Sequence, residues 1–463
     1  MNKINYRREI KVEDGYDLVV AGGGTAGTAA AVSAARLGAR VLLVEALGCL
    51  GGTGTSGLVL VLEPLSNGPT MLCGGIVKEA ADTLIEKGWA ANIKTLEEWN
   101  ASGCAGGICF DSEGLKLVLD DMVSKAGVET RFFTTVADAD TDAASKTVKG
   151  VIISNIEGLS YIKAKTFIDA TGDAVLSDFC GADYYEAGRD TPNIMPPTLC
   201  AVVGGINWKD LTILHGGPRG QQEKVEQAIS DGFFSQSDRH VPGLFFNKEP
   251  LGCMNAGHIF GMNSCNCRSL SDGMKKGRRL VQEYADFYRK YFGFNKFQVI
   301  TTAAMMGIRE SRRVKGEYTL NYDDYKARRQ FPDQIGIFSK SVDIHVYDCT
   351  PEEYARYHEE YTKTDRYSPG ECYGIPYGIL VPKGWKNLWV AGRCASTDIK
   401  VHGSLRVQPA AYMMGEAAGA AAVQAINTGK SAGEIDTGSL VKTLREQVAI
   451  LPQKTLGNDL TKN

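Results

Sequence analysis

The sequence has no long apolar run and no excess of charge of one sign, and its first residues are polar and charged rather than apolar. Its longest apolar stretches, such as residues 57–62, are far shorter than the roughly 20 residues that a membrane-spanning helix needs. Residues 1–14 alternate polar and charged side chains, so we expect a cytoplasmic protein without a signal peptide. Lys and Arg number 51 and Asp and Glu 54, and the resulting net charge of −3 offers no basic field to a nucleic acid.

Histidine is scarce, and the cysteines lack the spacing of a metal site. The chain has six histidines and 12 cysteines. Cys265 and Cys267 are separated by one residue, whereas the cysteine pairs of zinc sites are separated by two or more, so we predict no metal site. Cys104 and Cys109 have the C-x₄-C spacing of a redox-active pair, although they lie far in sequence from the first glycine-rich turn. A flavin-dependent disulfide or quinone reductase that uses them stays an alternative.

Glycine, by contrast, is abundant: the chain has 53, and ten of them fall between positions 22 and 57. An apolar strand at 16–21 is followed by the pattern G-x-G-x-x-G at 22–27 (GGGTAG), a helix of small residues and a second strand at 39–44. This order is typical of a dinucleotide-binding βαβ unit. Gly22 would permit the tight turn, Gly24 would let the backbone approach a pyrophosphate, and Gly27 would let the helix pack closely on the sheet.

The start of the helix and the end of the second strand complete this unit. Thr25 and Ala26 begin the helix, where free N–H groups and the positive end of the helix dipole favour a pyrophosphate. Glu45 follows the second strand and would accept hydrogen bonds from an adenosine ribose. A second glycine-rich loop at 48–57 follows Glu45 directly, where a nicotinamide dehydrogenase would continue into its next helix. This loop favours FAD over NAD as the cofactor.

Two later segments repeat the pattern of a strand followed by glycine. A strand candidate at 165–169 precedes the residues 170–173 (ATGD), and another at 385–391 precedes Gly392 and Arg393. Residues 402–409 (HGSLRVQP) then lead into an alanine-rich helix from Ala410 to about residue 426. If this helix directs its N-terminus at a flavin ring, its partial positive charge would stabilise the anion that forms on reduction.

These stretches together resemble a bacterial FAD-dependent oxidoreductase family of the glutathione-reductase-like two-dinucleotide-fold group, distantly related to the flavin subunits of heterodisulfide reductase and fumarate reductase. The matching segments are 16–57, 110–129, 167–182, 307–320, 373–394 and 402–419, which span nearly the whole chain in order. Position 53 and its neighbours (TGT) lack the histidine through which fumarate reductase attaches its flavin, so the resemblance implies noncovalent FAD.

The resemblance also implies which residues would contact the cofactor. The ADP half would be held by Gly22, Gly24, Gly27, Glu45 and the loop Gly51, Gly52 and Thr53, with Val136 contacting adenine. The middle of the cofactor would be lined by Thr171, Gly172 and Asp173. The ribityl chain and the flavin would face Gly392, Arg393, Gly403, Arg406, Val407 and Gln408.

We therefore expect an α/β fold with a discontinuous Rossmann-like FAD-binding domain and an inserted α+β substrate domain. The FAD-binding domain would comprise residues 1–60, 105–190 and 370–463, and the substrate or cap domain residues 61–104 and 191–369. Compositional boundaries support this division, because proline-rich turns occur at 190–197 and 368–370.

Candidates for the chemistry are two arginines and two histidines. Arg309 and Arg313 lie in a dense polar group at 307–313 within an apolar setting, and arginine suits a buried carboxylate or oxyanion because its planar fork stays charged. The alternative is a structural Arg–Glu network. His402 precedes the predicted flavin-facing loop and His345 lies in a strand-like segment, so either would serve as an acid or base. The alternative for His402 is a hydrogen bond to a loop carbonyl.

The sequence thus predicts an FAD-dependent oxidoreductase that transfers a hydride between a small organic substrate and flavin N5. No second glycine fingerprint for NAD(P)H is apparent, so the oxidant would be a quinone, a redox partner protein or oxygen. An electron-transfer flavoprotein subunit of a larger complex stays a second alternative, and a homodimer is one possible assembly.

Overall fold

The computed structural model describes residues 4, 7–68, 70–102, 106–206, 208, 211, 219–241, 243–361 and 363–451. The strands, in chain order, are β1 (Lys11–Ala21), β2 (Val41–Val44), β3 (Val61–Leu62), β4 (Ser66–Asn67), β5 (Thr70–Met71), β6 (Ile108–Cys109), β7 (Glu129–Arg131), β8 (Thr135–Asp142), β9 (Thr147–Asn155), β10 (Gly158–Asp169), β11 (Tyr184–Glu186), β12 (Ala201–Gly204), β13 (Leu244–Lys248), β14 (Leu251–Met254), β15 (Gln298–Thr302), β16 (Arg312–Val314), β17 (Gln334–Phe338), β18 (Tyr373–Pro376) and β19 (Leu388–Val390). The helices are α1 (Thr25–Arg36), α2 (Gly75–Glu86), α3 (Leu96–Ala101), α4 (Ser112–Ala126), α5 (Val175–Cys180), α6 (Arg219–Ser230), α7 (Cys267–Phe292), α8 (Tyr322–Lys326), α9 (Pro351–Glu360), α10 (Ile399–Leu405), α11 (Gln408–Thr428) and α12 (Thr437–Glu446).

The main sheet has the order β7-β2-β1-β10-β9-β8, and β19 pairs with the carboxyl-terminal part of β10. Strands β7, β2, β1, β10 and β19 run parallel, while β8 and β9 extend the sheet as an antiparallel pair. The carboxyl ends of β1, β2, β10 and β19 therefore meet at one edge, which is where open α/β sheets bind their ligands. This arrangement confirms the predicted α/β fold with a Rossmann-like core.

Helices α1 and α11 pack against each other beside this sheet, and their small residues allow an unusually close approach. A Cβ atom at Gly415 would lie 2.0 Å from the Ala26 carbonyl oxygen, and one at Gly419 would lie 2.2 Å from that of Ala30. Both helices are almost wholly buried along their length. The alanine-rich composition that predicts a helix after position 410 thus also explains why the two helices can lie in contact.

A second region is built around an antiparallel sheet with the order β13-β14-β12-β15. The long helix α7 packs against β15 and buries an aromatic cluster that includes Tyr284, Phe287 and Tyr288. This sheet and α7 lie within the stretch 191–369 that the sequence assigns to an inserted substrate domain, and the exact domain boundaries stay a prediction. In the described part of the chain, no helix combines the length and apolar character needed to cross a membrane.

Candidate functional site

A cavity of about 710 Å³ lies at the carboxyl edge of the parallel strands and continues to the antiparallel sheet. Two groups among its lining residues differ in their chemistry. The glycine part is formed by Gly22, Gly24, Thr25, Ala26, Glu45, Gly52, Thr53, Val136, Thr171, Gly172, Gly392, Arg393, Val407 and Gln408. The charged part is formed by Thr198, Cys200, His240, Asn255, Arg309, Lys340, Asp343, His345, Tyr357, Tyr361, Arg366 and Arg406.

The glycine fingerprint has the geometry that its pattern predicts. Gly22 has a φ of +93°, and a Cβ there would lie 2.7 Å from the Ala170 carbonyl oxygen. A Cβ at Gly27 would lie only 1.8 Å from the Gly22 carbonyl oxygen, so the helix can meet the strand only through glycine. A Cβ at Gly24 would meet no atom within 4 Å, because this residue faces the cavity. The backbone is therefore free to approach a ligand at Gly24.

Two helix N-termini open on the cavity without a capping side chain. Helix α1 is preceded by Gly24 and α11 by Val407, and neither residue supplies a side-chain hydrogen bond to the first turn. Neither first turn contains an acidic residue. Free N–H groups and the positive end of the helix dipole favour negative charge. The structure thus fits a ligand that carries negative charge at two separate points, as a dinucleotide with a redox-active ring does.

Glu45 is buried between the fingerprint turn and the next loop. Its Oε2 accepts a hydrogen bond from the Gly23 N–H at 2.6 Å, and its Oε1 accepts one from the Leu47 N–H at 2.8 Å. Burial raises the pKa of this carboxyl, while the backbone N–H groups of Leu47 and Gly23 oppose the shift. The carboxylate is held in one orientation with its remaining lone pairs available, as the predicted contact to a ribose requires.

The other residues predicted to contact the cofactor divide into those that line the cavity and those that support it. Gly51, Asp173 and Gly403 are not among the lining residues. The Gly51 N–H donates to the Gly23 carbonyl oxygen at 2.9 Å, and Asp173 accepts a hydrogen bond from Arg393 Nη2 at 2.6 Å. Gly403 lies in α10, a helix where the sequence predicts a loop, and it packs against the backbone of Asp343. These three residues hold neighbours in place.

Arg309 and His345 are the two predicted catalytic residues that the structure brings into the charged part of the cavity. Arg309 is held by neutral oxygen atoms. Its Nη1 donates to the Pro196 carbonyl oxygen at 2.7 Å and to Thr198 Oγ1 at 2.8 Å. Among the described residues, no carboxylate oxygen lies within 4.0 Å of its guanidinium group. Burial, with a smaller effect of Arg406, lowers its pKa to about 10, so it stays protonated near neutral pH.

Three histidines meet in the same part of the cavity, although the sequence singles out only one of them. His345 and His240 line the cavity, and His258 lies behind them, fully buried. His258 Nε2 and His345 Nδ1 are 2.9 Å apart, and the centroids of the His240 and His258 rings are 4.5 Å apart. Burial lowers the pKa of all three, that of His345 to about 3. His240 and His258 have no local motif. They come together because β13 pairs with β14 and because Asp238 accepts hydrogen bonds from both backbones.

Arg313 and His402 lie behind the cavity wall rather than on it. Arg313 donates to the Thr397 carbonyl oxygen at 3.0 Å and pairs with Asp190. His402 Nε2 lies 2.9 Å from the Arg309 carbonyl oxygen, and burial lowers the pKa of its imidazole well below the usual range. His402 therefore holds the backbone that carries Arg309, whereas Arg313 joins the segment at Thr397 to Asp190. A catalytic role for either side chain stays a prediction.

The cysteine pair considered for a disulfide reductase is only partly within the described structure. Cys104 lies outside the described residues. Cys109 ends β6, is partly buried and does not line the cavity. Burial raises the pKa of its thiol to about 11, which keeps it protonated near neutral pH. A cysteine that does line the cavity is Cys200, whose pKa burial raises to about 12.

Comparison with known proteins gives a match over nearly the whole chain. A model of the family described as FAD dependent oxidoreductase matches residues 17–448. No curated protein matches the sequence.

Similar solved structures include a geranylgeranyl bacteriochlorophyll reductase-like protein from Thermoplasma acidophilum, with 14% identity over 94% of this chain and 83% of that chain and a TM-score of 0.48. The myxobacterial chondrochloren halogenase CndH has 15% identity over 94% of this chain and 79% of that chain, with a TM-score of 0.42. The p-nitrophenol 4-monooxygenase PnpA from Pseudomonas putida DLL-E4 has 14% identity over 66% of this chain and 70% of that chain, with a TM-score of 0.39.

Proposed function

The chain belongs to the FAD dependent oxidoreductase family, and we propose that it transfers a hydride between FAD and a small organic substrate whose charged oxygen binds Arg309. The protein is an enzyme and its cofactor is FAD. We further propose that the chain is distantly related to the flavin subunits of heterodisulfide reductase and fumarate reductase. The sequence segments at 16–57 and 402–419 support this relationship.

The residues of the glycine part fit FAD in both their geometry and their chemistry. Gly24 leaves open space for a pyrophosphate at the start of α1, and Glu45 is oriented for a ribose. The uncapped N-terminus of α11 lies at Val407 and Gln408, where it would stabilise negative charge on a reduced flavin. The loop at 48–57 contains no histidine, which agrees with noncovalent binding. When bound, FAD supplies a two-electron carrier that accepts or returns a hydride at N5.

The observation that carries the proposal is that Arg309 lies in the same cavity as the glycine part. A buried guanidinium group without a carboxylate partner within the described chain has an unmet preference for an anionic ligand. The bonds to the Pro196 carbonyl oxygen and Thr198 fix its direction before any substrate arrives. Lys340 and Arg366 add positive charge to the same lining. A carboxylate or a developing oxyanion on the substrate fits this environment.

The test is reduction of the enzyme-bound flavin without oxygen by small hydroxy acids and amino acids, each compared with its methyl ester, which lacks the carboxylate charge. We expect the acids to react and the esters to fail, and Arg309→Met to lower the rate constant about 10²–10³-fold with flavin content unchanged. Arg279→Met, at an exposed position on α7, is the matched control and should leave the rate constant unchanged.

Three outcomes would overturn the proposal. Equal reactivity of acids and esters would exclude an anionic substrate. An unchanged rate constant in Arg309→Met would show that this arginine is structural. The proposed substrate class would be wrong if none of these compounds reduces the bound flavin and if no carbonyl or unsaturated acid reoxidises it after chemical reduction.

We also propose a quinone, a redox partner protein or oxygen as the second electron carrier, because the sequence has no second nucleotide fingerprint.

A further inference from the structure

The three histidines of the charged part form a cluster that the proposed hydride transfer does not use. His240, His258 and His345 each offer one ring nitrogen, and these nitrogens all lie within 4.8 Å of one another. They come from three separate segments, before β13, after β14 and after β17. A divalent ion bound at 2.0–2.1 Å in tetrahedral geometry would hold the nitrogens about 3.3–3.4 Å from one another. A shift of less than about 1 Å at each ring would therefore close the cluster on an ion.

Carboxylates fix the orientation of two of these imidazoles through the ring nitrogens that face away from the cluster. His258 Nδ1 lies 3.1 Å from both oxygens of Asp238, and His345 Nε2 lies 3.4 Å from Asp343 Oδ1. The nitrogens left to face each other are His258 Nε2 and His345 Nδ1, at 2.9 Å. Metal-binding histidines characteristically use their second ring nitrogen in this way, which fixes both the tautomer and the direction of the ring.

Asp238 is itself held firmly, as a supporting group of a metal site must be. It accepts hydrogen bonds from the backbone N–H groups of His240 at 3.0 Å and His258 at 2.6 Å, and from the Tyr354 hydroxyl at 3.2 Å. Together with Asp343, it also places two negative charges beside the cluster. These charges would offset a divalent cation in a part of the cavity that already contains the Arg309 guanidinium group.

His240 provides an independent observation that points to a ligand. Its Nδ1 is buried and has no hydrogen-bond partner. A buried polar atom without a partner costs on the order of 1–3 kcal/mol, and native structures keep few of them without a reason. Because His240 and His345 line the cavity, an ion held by the cluster would also be in contact with the cavity.

We propose that His240, His258 and His345 bind a divalent transition-metal ion, with a further coordination position open to a substrate oxygen or water. Three imidazole donors and one open position are the ligand set of catalytic zinc sites, and imidazole also suits other first-row ions such as Fe²⁺. In this assignment His345 is a ligand and not the acid or base that the sequence predicts, and the absence of a metal site predicted from cysteine spacing is revised. The proposal does not depend on hydride transfer.

The experiment measures Zn²⁺ binding to the FAD-loaded protein after treatment with a chelator, by calorimetry and by metal analysis of the dialysed protein. We expect one Zn²⁺ per chain, with an X-ray absorption signature of three nitrogen donors at 2.0–2.1 Å. His345→Gln and His240→Gln should each weaken binding more than 100-fold. Asp238→Asn, which keeps all three ligands, should weaken binding 10–100-fold.

His358→Gln is the matched control, because His358 is exposed on α9 and belongs to neither part of the cavity. It should bind Zn²⁺ as the wild type does. Flavin content of each sample shows whether a variant is folded, since the glycine part does not include the cluster. Absence of Zn²⁺ binding to the wild type, or binding that is equally tight in His345→Gln, His240→Gln and Asp238→Asn, would overturn the proposal whether or not the hydride transfer is correct.

Discussion

The glycine part and the charged part of one cavity are built on different principles. In the glycine part, backbone groups face the ligand: the turn at Gly22, the open backbone at Gly24 and two uncapped helix N-termini. In the charged part, side chains face the ligand. The cations and imidazoles among them come from segments up to about 170 residues apart, such as those of His240 and Arg406. The first part offers partial charges fixed by secondary structure, and the second offers full charges fixed by tertiary contacts.

This difference has a physical consequence for each part. A site made of backbone N–H groups forms whenever the strand, turn and helix form, so its geometry is as stable as the parallel sheet. A site made of buried charges depends on each supporting contact, such as the bonds from Arg309 to Thr198 and from His258 to Asp238. We therefore expect changes in the glycine part to affect cofactor retention, and changes in the charged part to affect substrate or ion binding with the cofactor retained.

The largest effect should come from adding one methyl group at the fingerprint. In Gly27→Ala the new Cβ would lie 1.8 Å from the Gly22 carbonyl oxygen, so α1 must move away from the turn that it shares with β1. We expect loss of FAD from the purified protein, measured as the ratio of flavin to protein. Gly433→Ala is the control, because a Cβ there meets no atom within 4 Å. Full retention of FAD by Gly27→Ala would show that the close approach is not required.

The two parts also differ in how far the sequence predicts them. The fingerprint, Glu45 and α11 are each encoded within a short stretch, because glycine positions and strand–turn–helix order are local properties. The observed α11 at Gln408–Thr428 differs from the predicted helix by only about two residues at each end. Local order suffices here because the ligand-facing groups belong to the backbone.

The charged part was predicted less completely, since the direction of a side chain depends on packing between distant segments. Arg309 and Arg313 belong to one short motif, yet only Arg309 lines the cavity, because β16 begins between them and pairs with β11. His258 and His345 are 87 residues apart, and their contact follows from the fold rather than from spacing. The assignment of the catalytic residues to these positions stays a prediction.

A smaller effect is expected where a side chain supports the glycine part. Each carboxylate oxygen of Glu45 accepts a hydrogen bond from a backbone N–H group. In Glu45→Gln an NH₂ group replaces one of these oxygens, so one backbone N–H group would face another donor instead of an acceptor. A charge-assisted hydrogen bond of this kind contributes about 1.5–3 kcal/mol, which corresponds to a rise of roughly 10- to 150-fold in the Kd for FAD. The Kd is measured by adding FAD to the flavin-free protein, with Glu97→Gln, at an exposed position on α3, as the control. An unchanged Kd would exclude the ribose role.

The smallest effect on the cofactor, but a clear effect on stability, is expected at Glu416 in α11. This carboxyl is buried, its Oε2 accepts one hydrogen bond from the Ile76 N–H at 3.2 Å, and its Oε1 has no partner. Unlike Glu45, it therefore has little to offset burial, which raises its pKa from 4.5 to about 8.

Between these two values the unfolded chain loses the proton while the folded chain keeps it. The folded state then binds more protons than the unfolded state, so the stability of the wild type falls as the pH rises from about 4.5 to about 8. Glu416→Gln removes this titration, and its advantage over the wild type should grow across that interval to at most a few kcal/mol. Urea unfolding midpoints of both proteins at pH 5, 6.5 and 8 measure it. If the unfolding midpoints of the two proteins change with pH in parallel, Glu416 is ionised in the folded protein. Its carboxylate would then be a charged acceptor for the Ile76 N–H group, as the Glu45 carboxylate is for Gly23.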